Sequence, residues 1–143
     1  MILFDSNVLV YALNRDMPQY RPCRDVVQRA MLGRLDAVVF PQVLMEFFAT
    51  VTSRRLSPTP VSPADAMRRV DDWRTTLDVR YPTRRCLDEF TTLVEQSPRA
   101  GQQIHDIILA AQMRAHGIAA ICTANTTDFA GIPGIEVRSP ESV

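Results

Sequence analysis

Apolar residues along this chain come in short runs, separated by stretches in which they recur at helical spacing. "ILF" (2–4) predicts a buried strand, Ser6 a helix cap, and Val8 to Leu13 a short helix. Pro18 and Pro22 open a longer helix in which Val26, Val27, Ala30 and Met31 recur at helical spacing, and Gly33 ends it. "AVVF" (37–40) predicts a second strand, and Pro41 suits the first turn of a helix running to about Arg54. The proline-rich "LSPTPVSP" is a rigid connector, too short for a domain linker. Ser62, Pro63 and Asp65 resemble a capping box, and Met67, Val70 and Trp73 form the expected core stripe of the next helix. "LDVRY" predicts a strand, "TRRCLDEFTTLVEQ" a helix, "SPRAGQ" a loop, and "QIHDIILAAQMRAH" an apolar helix closed by Gly117. "IAAIC" and "IEVRS" are strands around the loop "TANTTDFAGIPG". Strands alternating with helices predict the α/β class, with a mostly parallel sheet covered on both faces. In open sheets of this kind, sites lie just beyond the carboxyl ends of the strands.

Composition narrows the picture. A chain of 143 residues with 46% hydrophobic content fits a single domain, 1–143. The start has no basic region of a signal peptide, and no uncharged apolar run approaches the roughly 18 residues that span a bilayer, so a cytoplasmic protein without a membrane anchor is expected. Cys23, Cys86 and Cys122 are scattered and odd in number, which argues against a disulfide framework and against a zinc site. The formal charge is zero, so any nucleic-acid contact must be local. All 16 basic residues are arginine, and mechanisms that need a lysine are excluded.

Against this background three acids stand out. Asp5 is the only charge among the first fourteen residues, Glu46 the only one between Pro41 and Ser53, and Asp106 the only acid between Ala100 and Met113. Acids are seldom buried unless paired, hydrogen-bonded or metal-bound, and no arginine lies near these three in sequence. Glu46 shares a helix face with the small or polar Gln42, Val43, Ala49 and Thr50, while Leu44, Phe47, Phe48 and Val51 form the heavier apolar face. Asp106 shares its face with Leu109, Ala110 and Met113. The loop after the fourth strand offers Thr123, Asn125 and Asp128 as further oxygen ligands.

Ordinary structural roles are open to each: Asp5 as a cap, Asp106 as a charge answering the helix dipole, Glu46 as a partly exposed helix residue, Asp128 as a turn residue. If the elements converge, however, the result is an all-oxygen donor set suited to Mg²⁺ or Mn²⁺. Like-charged carboxylates would take up protons unless such an ion compensated them. Two ions about 3.5–4 Å apart can clamp the attacking and leaving oxygens of a phosphodiester and activate water, which is nuclease chemistry.

The ordered set of motifs resembles the PIN-domain ribonucleases, especially the VapC-type toxins of bacterial toxin–antitoxin pairs, over nearly the whole chain. The matching features are "DSN" after the first strand, Glu46 in "FPQVLMEFF", Asp106 in "HDIILAAQ" and the late loop "TANTTDF". The resemblance implies a three-layer α/β/α sandwich and Mg²⁺- or Mn²⁺-dependent RNA cleavage, with Asp5, Glu46 and Asp106 as acidic ligands. Ser6 and Asn7 would support them from behind, and Thr123 would shape the pocket. Asn125 stands where many relatives carry a fourth acid, so either Asn125 acts as a neutral ligand, Asp128 substitutes, or a second metal binds weakly. The resemblance further implies a homodimer and a small antitoxin protein that inserts a basic residue into the acidic site. Of the arginine pairs, Arg54 and Arg55, ending the helix of Glu46, are the best candidates for RNA phosphate contacts. His105 and His116 are read as structural.

"FDSN" is also similar to the start of haloacid dehalogenase-type phosphatases, but those enzymes need a second aspartate where Asn7 stands, and a lysine. Response-regulator receivers likewise need a lysine. The serious alternative is a non-catalytic PIN-like domain that binds RNA or protein, for which Asn125 is the main support. A DNA-directed 5′-nuclease is a weaker rival, because those chains are usually longer.

Overall fold

The computed structural model describes residues 1–99 and 101–143; of the expected loop 97–102, Ala100 lies outside the described residues. Five strands, β1 (Ile2–Phe4), β2 (Ala37–Val39), β3 (Asp78–Val79), β4 (Ala120–Cys122) and β5 (Glu136–Arg138), form one sheet in the order β3-β2-β1-β4-β5. Every neighbouring pair is parallel, with Leu3 registered against Val38 on one side and Ile121 on the other. The three central strands are buried along their whole length, which is why they read as uninterrupted apolar runs.

Six helices cover the sheet: α1 (Ser6–Tyr11), α2 (Tyr20–Met31), α3 (Pro41–Thr52), α4 (Pro63–Thr76), α5 (Arg85–Gln96) and α6 (Ile104–Ala115). The chain steps from β1 to β2 to β3 in one direction and returns to β4 on the far side of β1. Right-handed crossovers therefore place α1–α4 on one face and α5–α6 on the other. The packing agrees, since α1 meets α2 and α3, α3 meets α4, and α5 lies along α6. The result is the expected α/β/α sandwich, its sheet parallel throughout.

Local chemistry explains most boundaries. Pro41 opens α3, and Ser62 caps α4 by accepting the Asp65 N–H at 3.1 Å. Gly33 and Gly117 take φ of 67° and 69° just past α2 and α6, a left-handed turn that residues with a Cβ avoid. Several details differ from the sequence reading. The first helix begins at Ser6, and of the two caps the sequence offers, Ser6 and Asp5, Asp5 is the one that acts. Helix α3 ends at Thr52, leaving Arg54 and Arg55 in the following exposed turn. Of the stripe expected on α4, Trp73 is buried against Phe47 and Val70 packs on the core, but Met67 is exposed. Met31, at helical spacing with Val26, Val27 and Ala30, is exposed too, and Val43, grouped with Glu46, is fully buried. Spacing reports angular separation around a helix but not which angle faces the sheet. Cys23 and Cys122 are buried thiols and Cys86 is half-buried; none is bonded to another.

Candidate active site

The strand order reverses direction at β1, whose neighbour β4 comes from the other half of the chain. The crevice beyond the carboxyl ends of these two strands is the topological switch point. Asp5 and Thr123 are the residues that follow them. Their backbones continue the ladder, with the Asp5 N–H donating to Cys122 O at 3.0 Å.

Asp5 is buried, and its carboxylate is held on both oxygens. Oδ1 accepts the Ser6 N–H at 2.6 Å and the Ser6 hydroxyl at 3.3 Å. Oδ2 accepts the Asn7 amide at 2.7 Å and the Thr123 hydroxyl at 2.8 Å. The Asn7 amide also donates to Thr123 Oγ1 at 2.9 Å, and its Oδ1 accepts the Ala124 N–H at 3.0 Å. Ser6, Asn7 and Thr123 thus do touch Asp5 directly, and Thr123, fully buried, is its link to β4. Burial pushes the Asp5 carboxyl above its ordinary value; the Thr123 hydroxyl and Ser6 amide oppose that rise, and the Glu46 charge adds to it. Capping α1 and facing the other acids are therefore both roles of one side chain.

Asp106 lies in the first turn of α6, a quarter exposed, while Leu109, Ala110 and Met113 on its face are buried. Its pKa is raised to about 6, first by burial and next by the charge of Asp128, with smaller contributions from Asp5 and Glu46. Asp106 thus feels the charges of the other three acids. Arg99 works against that rise: its Nη1 stands 3.7 Å from Asp106 Oδ2. The same guanidinium donates to the backbone carbonyls of Asp128 and, at 3.0 Å, of Ala130. No arginine lies close to the three acids in sequence, but Arg99, seven residues before Asp106, folds back across the late loop onto it.

Glu46, half-buried on α3, accepts the Gln42 amide at 2.8 Å. In the late loop, Asn125 is exposed; its Nδ2 donates to Asp128 Oδ2 at 2.7 Å and its Oδ1 accepts the Thr127 hydroxyl at 2.8 Å. Asn125 therefore holds Asp128, and it is the Asp128 charge that Asp106 feels. Arg54 and Arg55 are exposed, and neither is among the charges that shift Asp5 or Asp106.

The donor set is all oxygen and carries excess negative charge, which fits a hard divalent cation. Among the described residues, no three His, Cys, Asp or Glu side chains stand close enough to form a ready-made cage. The set fits such an ion in its chemistry.

Two participants escaped the sequence reading, Arg99 and Gln112, the partner of Gln42; Gln42, already placed on the face of Glu46, is its hydrogen-bond donor. Gln112 alone carried a signal, a lone polar residue in the apolar run "IILAAQM".

Residues 2–134 match the family model for the PIN domain. The chain belongs to the PIN-domain family. Within it, relatives of similar length include Ribonuclease VapC48 of Mycobacterium tuberculosis, 30% identical with 97% of each chain covered. Ribonuclease VapC24 of the same species is 30% identical, covering 90% of this chain and 89% of its own. Among solved structures, the PIN fold here is similar to VapBC2 from Rickettsia felis bound to a promoter DNA fragment, with TM-score 0.69, 21% identity, and 97% and 98% of the two chains covered. It is also similar to the sarcin-ricin loop cleaving toxin VapC20 of Mycobacterium tuberculosis, with TM-score 0.63, 14% identity, and 95% and 99% covered. This PIN domain is thus a VapC-type member, and among its described residues no helix is long and apolar enough to cross a membrane.

Proposed function

We propose that this protein is a Mg²⁺- or Mn²⁺-dependent endoribonuclease, the toxin of a toxin–antitoxin pair. The observation that supports it most is Asp106, which is pushed up to about 6 by burial and by the charges of Asp128, Asp5 and Glu46 near the switch point of the sheet. Carboxylates answered only in part, here by Arg99 beside Asp106, are costly unless a further cation completes the balance. When bound, Mg²⁺ or Mn²⁺ would polarise the scissile phosphate and lower the pKa of an attacking water.

The chain's own residues supply the rest. Asp5, Glu46 and Asp106 would hold the ion, and Asp128 would complete the set, with Asn125 holding it in place. Ser6, Asn7 and Thr123 fix both oxygens of Asp5, so that its orientation is set before substrate arrives. Arg99 keeps the 128–130 backbone against Asp106 and offers the cleft a positive charge. Arg54 and Arg55, exposed beyond α3, are free to meet RNA phosphates. A homodimer and a cognate antitoxin belong to this reading, as does a cytoplasmic setting where RNA is at hand; the similar Rickettsia structure, a VapBC assembly, supports the partner.

The test incubates purified protein with total RNA under Mg²⁺, Mn²⁺ or chelator, beside Asp5→Asn and Asp106→Asn. Discrete fragments that need both the metal and the two aspartates are expected. Folded wild-type protein that cuts no RNA under either metal would instead favour a non-catalytic RNA- or protein-binding domain.

A further inference from the structure

Helix α6 turns a continuous buried stripe toward the sheet, including Ile107, Leu109, Ala110, Ala111 and Met113. Gln112 sits within that stripe, only 5% exposed. Its Nε2 donates to Gln42 Oε1 at 2.7 Å, while its Oε1 has no hydrogen-bond partner among the described residues. A buried amide with an unanswered acceptor is disfavoured relative to an apolar side chain of the same size. Packing gives no reason for a glutamine there.

Its one bond leads toward the acids. Gln42, in the first turn of α3, accepts from Gln112 and uses its own amide twice, donating to Glu46 Oε1 at 2.8 Å and to the His105 carbonyl at 3.3 Å. His105 immediately precedes Asp106. Two amides therefore tie the interior of α6 to the carboxylate of α3, and tie both to the backbone that carries Asp106. A half-buried glutamate has several rotamers open to it, and this relay selects one by holding Oε1 and leaving Oε2 unengaged by the relay.

We propose that Gln112, acting through Gln42, is a positioning residue for Glu46, kept polar in the core at the expense of stability. The inference rests on the reading of Glu46 as a cation-binding acid. Outer partners that orient such ligands typically contribute about 10–100-fold in metal affinity.

The experiment uses Gln112→Met, which keeps the size and removes the amide, together with Gln42→Met and the double variant. Thermal unfolding is measured in chelator, and Mn²⁺ binding is measured without RNA by electron paramagnetic resonance, with RNA cleavage alongside. Gln112→Met is expected to hold its Tm or raise it by about 2–4 °C, while its Mn²⁺ affinity falls about 10–100-fold. Because the signal passes through Gln42, the double variant should bind no more weakly than Gln42→Met alone. A structural role for Gln112 would lower Tm, so a lower Tm with unchanged Mn²⁺ affinity overturns the proposal. Wild-type affinity in Gln112→Met, or additive losses in the double variant, overturn it equally while leaving the nuclease reading intact. Wild-type protein that neither binds Mn²⁺ nor cleaves RNA overturns both.

Discussion

Thr123→Val tests whether the buried hydroxyl or the shape of this side chain matters. Valine matches threonine in volume, so the change removes hydrogen bonds and little else. Thr123 Oγ1 donates to Asp5 Oδ2 at 2.8 Å and accepts from the Asn7 amide at 2.9 Å and the Asn125 N–H at 3.1 Å. The bond to the carboxylate contributes about 2 kcal/mol and the Asn7 bond about 1 kcal/mol, while the exposed Asn125 can turn to water. A loss of about 3 kcal/mol, or about 6–12 °C in Tm for a chain of this size, follows. Thr123→Ser keeps all three bonds and forfeits one buried methyl, about 1 kcal/mol. The two variants should therefore rank Val below Ser in thermal denaturation. If Thr123 only fills space, the order reverses, because valine preserves the volume and serine does not. The Thr123 hydroxyl also opposes the upward shift of Asp5, so Thr123→Val should raise that pKa further and weaken Mn²⁺ binding. Calorimetry in chelator and a Mn²⁺ titration give the two readouts; serine falling below valine in Tm would refute the reasoning.

Other perturbations address the rest of the cluster. Asp106 is harder to ionise in the fold, at about 6 against an ordinary 3.8, so its contribution to stability is full below 3.8 and lost as pH rises through about 6. Asp5, also raised, acts with the same sign. In chelator, wild-type Tm measured across that window should carry a declining component that Asp106→Asn lacks, and equal slopes would contradict the shift. Mn²⁺ binding, which competes with the proton on the Asp106 carboxylate, should weaken as pH drops through about 6. Arg99→Met removes the donors to the Asp128 and Ala130 carbonyls, and hydrogen exchange in the late loop should quicken at least about tenfold. Unchanged exchange would show that the guanidinium does not anchor the loop. Asp128→Asn should weaken Mn²⁺ binding more than Asn125→Ala, since the amide acts by holding the carboxylate; the opposite ranking would make Asn125 the ligand.

The amino-acid sequence by itself determined the elements and the anomalies. Strands such as "ILF" and "AVVF" are legible because a strand buried on both faces must be apolar throughout. Asp5, Glu46 and Asp106 are legible for the complementary reason: a charge in an apolar run contradicts its surroundings, and the contradiction is local. The carboxyl-end rule then places Asp5 just beyond the carboxyl end of its strand, where sites in such sheets lie. What only the tertiary structure decided is who holds whom. Thr123 meets Asp5 across 118 positions, Gln112 meets Gln42 across 70, and Arg99 reaches the Asp128 and Ala130 carbonyls across 29 and 31. Its geometry also shows Asn125 donating to Asp128 and puts the Asp128 charge beside Asp106. Met67 shows the same limit within one helix, since spacing predicted a stripe but not its direction. Burial and polarity leave a mark on each residue's own neighbourhood in the chain. A hydrogen bond between distant residues leaves none, because its partners are brought together by crossovers whose course the sheet order alone fixes.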